Sequence, residues 1–287
     1  MIYIFYPSNE TLNLSLTGSF CSLMCNHCYS TYLKGMHTKD TILETIKNNP
    51  GKYKSILISG GSTLEGKVPL FEHMDFIETL FSMGFKLNFH TGLISEEEIR
   101  AIKPFAERIS FDFVYDNEII QNVYHLPDKT KEDFEKTYLL MRRIMGGKIE
   151  TLEGYPSTKI VPHITIGLNC GEVKDGDFQT IEELAYIKPT LLVIDVFIPT
   201  KGTPFENCPN PDMKKVLEVI DKASRRLTRT TLFLGCMRPF GEYRNELDIK
   251  AYEFGIKGFV VPSKKFVDML KEKGEAFSIF NKCCALI

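Results

Sequence analysis

The sequence predicts an α/β fold, a TIM-type (β/α) barrel in which parallel strands alternate with helices. Three observations predict it. Short β-branched runs recur along the chain, segments with a helical period lie between them, and 287 residues is a common length for a one-domain barrel. Eight strand candidates favour a complete (β/α)8 barrel over a partial (β/α)6 barrel. Residues 1–287 are therefore expected to form one domain.

The strand candidates are short and mostly apolar. In chain order they are Leu12–Leu16, Ser55–Ser59, Lys86–His90, Ile109–Val114, Ile160–Leu168, Leu191–Phe197, Thr230–Leu234 and Gly258–Val261. The intervening segments carry apolar residues on one helical face, as Val216 and Ile220 do. Helix starts are marked by Thr38, Ser95 and Asp212, residues that cap helices well. Strands alternating with helices indicate a parallel sheet with helical crossovers.

Composition argues against several functional classes. Hydrophobic residues make up 43% and charged residues 25%, which is ordinary for a globular protein. A net charge of −2 gives no electrostatic reason to expect nucleic acid or a membrane as partner. The first residues do not resemble a signal peptide, and no apolar run approaches the ~20 residues of a membrane span. Free thiols without a secretion signal predict a cytoplasmic protein.

The most informative segment is a run of three cysteines, Cys21, Cys25 and Cys28, with Tyr29 directly after the last. The spacing is Cys-x3-Cys-x2-Cys. Three thiolates on one loop can hold three irons of a 4Fe–4S cluster and leave the fourth iron open to another ligand. A structural zinc site with His27 as fourth ligand would use the same thiols. Eight cysteines in the whole chain are too few for a disulfide scaffold.

With this spacing the chain resembles the radical S-adenosylmethionine (SAM) family. The resemblance implies that Cys21, Cys25 and Cys28 hold a SAM-binding 4Fe–4S cluster on a cluster loop, residues 18–36. SAM would bind the open iron, and its reductive cleavage would give a 5′-deoxyadenosyl radical that abstracts hydrogen from a substrate. The resemblance implies no catalytic side chain beyond the cluster and SAM.

The resemblance also assigns residues around SAM, mostly at strand ends. Ser59, Gly60 and Gly61 resemble the glycine pair that holds the SAM amino group, although they also fit an ordinary turn. The other positions implied to bind SAM or substrate are Tyr29, His90, Asp112, His163, Thr165, Ile166, Gly167 and Pro199. Of these, Ile166 and Gly167 would approach the adenine. His90 could equally be a structural histidine, and the segment that begins at Pro199 a simple turn.

A second motif, Gly235-Cys-Met-Arg-Pro239, follows the seventh strand candidate and looks like one found in relatives of biotin synthase. It would place Cys236 at the top of the barrel, where Arg238 could hold an anionic group. Cys283 and Cys284 lie in a C-terminal tail, residues 275–287. We expect them to form, with Cys236, a possible auxiliary 4Fe–4S cluster. Alternatively these cysteines are buried small hydrophobes, and the last four residues formally match a prenylation box.

These features resemble the biotin-synthase-like proteins that act as a two-subunit, archaeal-type lipoyl synthase. Such an enzyme would be a sulfurtransferase that inserts sulfur into a protein-bound octanoyl chain, with the auxiliary cluster as sulfur donor. Its partners would be a companion radical SAM subunit and an octanoylated lipoyl-carrier protein. The alternatives are another biotin-synthase-like radical SAM enzyme acting on a small molecule, or a non-catalytic iron–sulfur or zinc protein.

Overall fold

The computed structural model describes residues 1–146 and 159–287, together with two short strands between them. The strands are β1 Ile2–Phe5, β2 Thr11–Ser15, β3 Ser55–Ser59, β4 Lys86–His90, β5 Ala106–Asp112, β6 Ile149–Glu150, β7 Pro156–Ser157, β8 Ile160–Ile166, β9 Leu191–Val196, β10 Thr231–Leu234, β11 Gly258–Val260 and β12 Phe277–Phe280. The helices are α1 Lys39–Asn48, α2 Met74–Ser82, α3 Glu96–Ile102, α4 Lys131–Met145, α5 Asp175–Ile187, α6 Met213–Arg226, α7 Glu242–Glu253 and α8 Lys264–Glu272.

Ten of these strands form one parallel sheet in the order β12-β1-β11-β10-β9-β8-β5-β4-β3-β2. It includes all eight predicted strands, whose bounds differ by a few residues at most. The run from β2 to β11 follows chain order, as successive βα units require. Strands β1 and β12 were not predicted, because four-residue runs next to a chain terminus carry little periodic signal.

The predicted complete barrel is not confirmed, since the sheet is open between its edge strands β2 and β12. Strand β1 pairs with β11 and then with β12, so these two strands continue the sheet where closure by β2 would have occurred. Side chains bridge the opening at its lower end. The Asn9 amide donates to Asn281 Oδ1 at 2.9 Å, and the Cys283 N–H donates to Thr11 Oγ1 at 3.0 Å.

The helix starts agree with the sequence. The hydroxyls of Thr38 and Ser95 each accept the N–H three residues on, in capping boxes that begin α1 and α3. The Asp212 carboxylate accepts the Lys215 N–H at the start of α6. All three predicted caps are confirmed. No helix in the described part of the chain is both long and apolar enough to cross a membrane.

Strand alternation divides the buried residues into two sets. One set, which includes Ile4, Ile164 and Ile194, packs between sheet and helices. The alternate residues face the inside of the curved sheet. On β1 and on β8 to β11 this inner face carries an apolar cluster, which contains Tyr3, Phe5, Val161, Leu191, Val193, Phe233, Val260, Cys284 and Ala285.

Candidate active site at the carboxyl end of the sheet

The cluster loop follows β2 at the carboxyl end of the sheet and is tightly wound. Three of its non-glycine residues adopt the left-handed region, Met24 (φ 46°), Tyr29 (φ 44°) and Ser30 (φ 53°). The Cys28 and Tyr29 N–H groups both donate to the Cys25 carbonyl, at 3.1 and 2.8 Å. A non-glycine residue in the left-handed conformation costs about 1–3 kcal/mol of folding free energy, so it persists only where the surrounding structure holds it there. The winding keeps Cys25 and Cys28 close together.

The three thiols of the loop have different surroundings. Cys25 is buried, whereas Cys21 and Cys28 are half-buried. A hydrogen bond from the Cys25 thiol to Cys28 raises the pKa of Cys25 and lowers that of Cys28. The Cys21 Sγ accepts the Ser62 N–H at 3.3 Å. Three soft sulfur donors on one loop suit an iron–sulfur cluster. Among the described residues, no three His, Cys, Asp or Glu side chains lie close enough together to hold a metal ion.

His27, the alternative zinc ligand, turns to the neighbouring loop. Its ring lies against Tyr124 with centroids 5.1 Å apart, and burial lowers its pKa to about 4. The buried Nδ1 atom has no hydrogen-bond partner within the described ranges. A neutral imidazole in this position packs beside the cluster loop.

The turn Ser59–Gly60–Gly61 docks directly onto the cluster loop. The Gly61 N–H donates to Thr17 Oγ1 at 2.7 Å. A Cβ at Gly61 would lie 1.9 Å from the Phe20 carbonyl oxygen and 2.5 Å from Cys21 Cα. Only glycine permits this approach. Close packing against the cluster loop therefore explains why residue 61 is glycine, and the role of Gly61 toward SAM stays a prediction.

Polar side chains from four neighbouring strands face the same interior space, which we call the chamber: His90, Asp112, His163, Thr165 and Asp195. Register places Asp112 opposite His163 and Thr165 opposite Asp195. The rings of His90 and His163 have centroids 5.9 Å apart. The sequence predicted four of these five residues as SAM or substrate ligands. It missed Asp195, since an aspartate inside a buried strand gives no local signal.

Burial sets the protonation of the chamber. It lowers the pKa of His163 to about 4 and raises that of Asp195 to about 7. His163 Nδ1 lies 3.0 Å from the Val161 carbonyl, which can only accept, so Nδ1 carries the proton and Nε2 is left as an acceptor. Near neutral pH this imidazole is neutral and Asp195 is partly protonated.

A cleft opens beside the chamber between the ends of β5 and β8. Its lining includes Asp112, Tyr124, His163, Thr165 and Ile166. Three of these are predicted SAM ligands, and Ile166 is the residue expected at the adenine.

Gly167, the other residue expected at the adenine, is constrained by its protein neighbours. Its φ is +79°, and a Cβ there would lie 2.8 Å from Pro211. Its N–H donates to Asp177 Oδ1 at 3.1 Å, and burial raises the pKa of Asp177 to about 6. The glycine is thus required by the packing of two loops, whatever its role toward adenine.

The cluster loop is tied across the mouth of the chamber to the loop that follows β9. The Tyr32 hydroxyl and Thr200 Oγ1 lie 2.6 Å apart. Pro199, a predicted SAM ligand, is half-buried in the same loop. Tyr32 was not predicted, and its pKa is raised by burial. The Tyr32 phenol is also close enough to Asp195 and Cys236 for their charges to raise its pKa further.

The motif Gly235–Pro239 is built around Asp195. A Cβ at Gly235 would lie 2.2 Å from Asp195 Oδ1, and the same oxygen accepts the Met237 N–H at 2.8 Å. Cys236, between them, is exposed, yet surrounding protein raises its pKa to about 12. The Cys236 thiol is therefore accessible but poorly hydrated. It follows the carboxyl end of β10, the top of the barrel, where the sequence placed it.

The predicted role of Arg238 is wrong. Its guanidinium is fully buried and pairs with the equally buried Asp248, Nε to Oδ1 at 2.9 Å. The remaining nitrogens donate to the carbonyls of Gly235, Val260 and Val261. Because the side chain has no exposed surface and four of its five N–H donors bind protein groups, it is not available to an anionic ligand.

The tail cysteines lie inside the barrel, not on its surface. Cys284 belongs to the apolar inner cluster, so core packing explains it. Cys283 is half-buried, and its Sγ lies 3.6 Å from the Asn88 amide nitrogen. Cys236 and Cys283 are near enough to influence each other electrostatically. The auxiliary cluster stays a prediction.

Two further cysteines, which the sequence left unassigned, form a disulfide. Cys170 in the loop after β8 is bonded to Cys208 in the loop before α6, 38 residues later. The bond joins the loop of Gly167 to the one it packs against. The expectation that all thiols are unpaired is wrong for this pair.

Comparison with known proteins gives the fold. No protein-family model matches the sequence. The structure resembles methylornithine synthase (PylB), with 12% identity, a TM-score of 0.63, and 96% of this chain and 83% of that chain covered. It also resembles the FeFe-hydrogenase maturase HydG from Carboxydothermus hydrogenoformans, with 17% identity, a TM-score of 0.62, and coverage of 96% and 67%. The chain shares their fold.

One curated relative matches in sequence. It is the 7,8-didemethyl-8-hydroxy-5-deazariboflavin synthase of Archaeoglobus fulgidus, 25% identical over 152 residues. The match spans 50% of this chain and 41% of that protein. These comparisons establish the fold of the chain and leave its family and activity to inference from the site. They give no support to lipoyl synthase or sulfurtransferase activity.

Proposed function

We propose that the protein is a radical SAM enzyme. The observation that carries the proposal is a loop bearing Cys21, Cys25 and Cys28 that lies over a polar chamber at the carboxyl end of a parallel (β/α) sheet. Active sites of such barrels lie at this end. When bound, a reduced 4Fe–4S cluster supplies the electron that cleaves SAM to methionine and a 5′-deoxyadenosyl radical.

The residues of the chain position the reactants and limit side reactions. Asp112, Thr165 and Ile166 line the cleft where the adenosine part of SAM would lie. The Tyr32–Thr200 contact restricts access of water and oxidants to the chamber. Neutral His163 offers an acceptor at Nε2 to a substrate hydroxyl or amine, and it carries no charge that repels the sulfonium.

For the substrate, the chamber favours a small polar molecule. Two imidazoles and two carboxylates face it, whereas an octanoyl chain gains free energy only against apolar surface. The apolar inner surface lies below the chamber and is already covered by Cys284 and Ala285. The names of the similar proteins, methylornithine synthase and a deazariboflavin synthase, also describe products that are small molecules.

Sulfur insertion into an octanoylated lipoyl-carrier protein, with a companion radical SAM subunit, is the second candidate. One observation favours it. Two free thiols, Cys236 at the top of the interior and Cys283 below it, could hold a sulfur-donating auxiliary cluster if their side chains turn toward each other.

The test is anaerobic reconstitution with iron and sulfide, followed by dithionite and SAM. We expect a brown protein with about four irons per chain that releases 5′-deoxyadenosine. Replacing Cys21, Cys25 and Cys28 by serine should abolish both properties. The control is the Cys170→Ser/Cys208→Ser variant, which also removes thiols but should keep the iron. An iron-loaded protein that leaves SAM intact, or a colourless zinc protein, would contradict the proposal.

A second experiment separates the two substrate classes. An octanoylated carrier peptide would be incubated with the loaded enzyme and a companion subunit, and its mass followed. Sulfur added to the peptide, together with about eight irons per chain that fall to about four in Cys236→Ala, would establish the second candidate. SAM cleavage without a change in peptide mass would favour the small molecule.

A further inference from the structure

The last residues of the sequence, 281–287, follow β12 and pass into the barrel interior beside Thr11, the first residue of β2. We call this segment the plug. Its turn Cys284–Leu286 is buried, with exposed fractions of 6% for Cys284 and Leu286 and 0% for Ala285. Cys284 and Ala285 pack against inward-facing residues of β1, β8, β9, β10 and β11. The plug therefore fills the lower interior on several sides at once.

Within the described residues, polar bonds hold the plug at four points, of which the first is the bond from the Asn9 amide to Asn281 Oδ1 at 2.9 Å. The Cys283 N–H donates to Thr11 Oγ1 at 3.0 Å, and the Asn88 amide lies 3.6 Å from Cys283 Sγ. Arg108 Nη2 donates to the Ile287 carbonyl at 2.6 Å, and the Arg108 side chain is almost fully buried. Burying a guanidinium is costly, so its hydrogen bonds to the protein must offset the loss of water.

The plug lies directly below the chamber. Inward-facing positions recur every second residue along a strand, about 6.5 Å apart. On β4 the plug meets Asn88, and the next inward position is His90. On β8 it meets Val161, and the next is His163. On β9 the plug packs with Val193, and the next inward position is Asp195. The strand residues that contact the plug therefore form one layer of the barrel interior, and the residues that face the chamber form the next layer.

We propose that the plug forms the floor of the substrate chamber, with the half-buried Cys283 as its upper surface, and that it restricts the enzyme to substrates short enough to fit above it. This specificity role rests on the proposed function. Asn88 has no exposed surface, and it exchanges hydrogen bonds with Ser110 at 3.0 and 3.3 Å, so it supports Cys283 from the neighbouring strand. A long acyl chain could enter only if the plug left.

The first test needs no cluster and no activity. The full chain is treated with methyl methanethiosulfonate, and labelling of each cysteine is read by peptide mass spectrometry. We expect Cys283 to react and Cys284 to be protected. Arg108→Ala should raise labelling of Cys284 by about 10- to 100-fold, the factor that corresponds to one hydrogen bond from a charged donor. Arg108→Lys should restore part of the protection.

Two further variants complete this test. Arg100→Ala removes an exposed cation that pairs with Glu96 on α3, outside the contacts of the plug, and it should leave the labelling unchanged. Cys236→Trp fills the chamber from above and should lower labelling of Cys283, because the reagent reaches that thiol through the chamber. Unchanged labelling of Cys283 in Cys236→Trp would overturn the proposal. So would protection of Cys284 in an Arg108→Ala protein that remains folded.

The second test uses the loaded enzyme and two perdeuterated probes, 1,4-butanediol and 1,8-octanediol. Deuterium transferred to 5′-deoxyadenosine should come from the shorter diol in the wild type and from both in Arg108→Ala. An Arg108→Ala protein in which Cys284 reacts, but which still takes deuterium from the shorter diol alone, would refute the proposal that the plug is the floor of the chamber. Failure of both enzymes to cleave SAM would refute the proposed function instead, and the labelling would still decide whether the plug closes the chamber.

Discussion

Replacing one partner of the buried pair of Arg238 and Asp248 should be among the most destabilising single substitutions in the described part of the molecule. Both side chains have no exposed surface. If Arg238 is replaced by methionine, the bond from the Ser263 N–H, at 2.7 Å, is the hydrogen bond that the described residues still give the Asp248 carboxylate. Removing one partner of a buried pair typically costs about 3–5 kcal/mol. The lost bonds to backbone carbonyls add to this, so we expect at least about 4 kcal/mol.

The assay is urea unfolding of the metal-free protein, followed by far-ultraviolet circular dichroism. The control is Arg225→Ala, which breaks an exposed pair with Asp221 in α6 and should cost about 0.5 kcal/mol or less. A double replacement, Arg238→Met with Asp248→Leu, should recover most of the loss, since it leaves no charge buried. A cost below about 1.5 kcal/mol for Arg238→Met would refute the reasoning, and a selective loss of affinity for an anionic substrate would restore the predicted binding role.

Three further outcomes follow from the site. Gly61→Ala should lower iron uptake on reconstitution, because its Cβ would lie 1.9 Å from the backbone of the cluster loop, whereas Gly60→Ala, with its nearest neighbour at 3.3 Å, should bind iron normally. Asp177 has a pKa raised to about 6, so its contribution to stability is complete below about pH 4 and is lost as the pH rises through 6. Asp177→Asn should therefore flatten the fall in unfolding free energy between pH 4 and 7, by at most about 3 kcal/mol; an unchanged slope would contradict this. Reducing the disulfide of Cys170 and Cys208 should cost roughly 4 kcal/mol for a loop of 38 residues, and the double serine variant should not respond to the reductant.

Most of the fold was predictable because its signal is local. Each of the eight predicted strands, β2 to β5 and β8 to β11, is a short run followed by a segment of helical period, and such runs are visible without knowledge of the fold. Closure of the sheet into a barrel depends instead on contacts between residues that are far apart in the sequence. Whether β2 pairs with the opposite edge depends on where the first and last residues of the chain lie, and β1 and β12 occupy that edge.

The candidate site divides in the same way. Cysteine spacing predicted the cluster loop, because ligands of one metal centre on one loop are close in sequence. The partner of Arg238 could not be predicted, since Asp248 lies ten residues on, in the buried face of α7. The plug was missed for a different reason. Residues near a chain end are usually exposed, and nothing in Cys283–Ile287 indicates that the barrel interior has room for them.

The motif Gly235–Pro239 shows that a sequence pattern associated with ligand binding can also contain residues whose role is structural. Gly235 leaves space for the Asp195 carboxylate, and the Met237 N–H binds that carboxylate. Arg238 fixes the same turn to α7 through Asp248. Cys236 is the exposed side chain of the motif, so we predict that chemistry at the motif acts through this thiol. Cys236→Ser would change the reactive group and keep the turn, whereas replacing Arg238 would remove the support and leave the thiol chemically intact. Loss of product formation in the first variant, at wild-type stability and SAM binding, would show that the motif exists to present a sulfur atom.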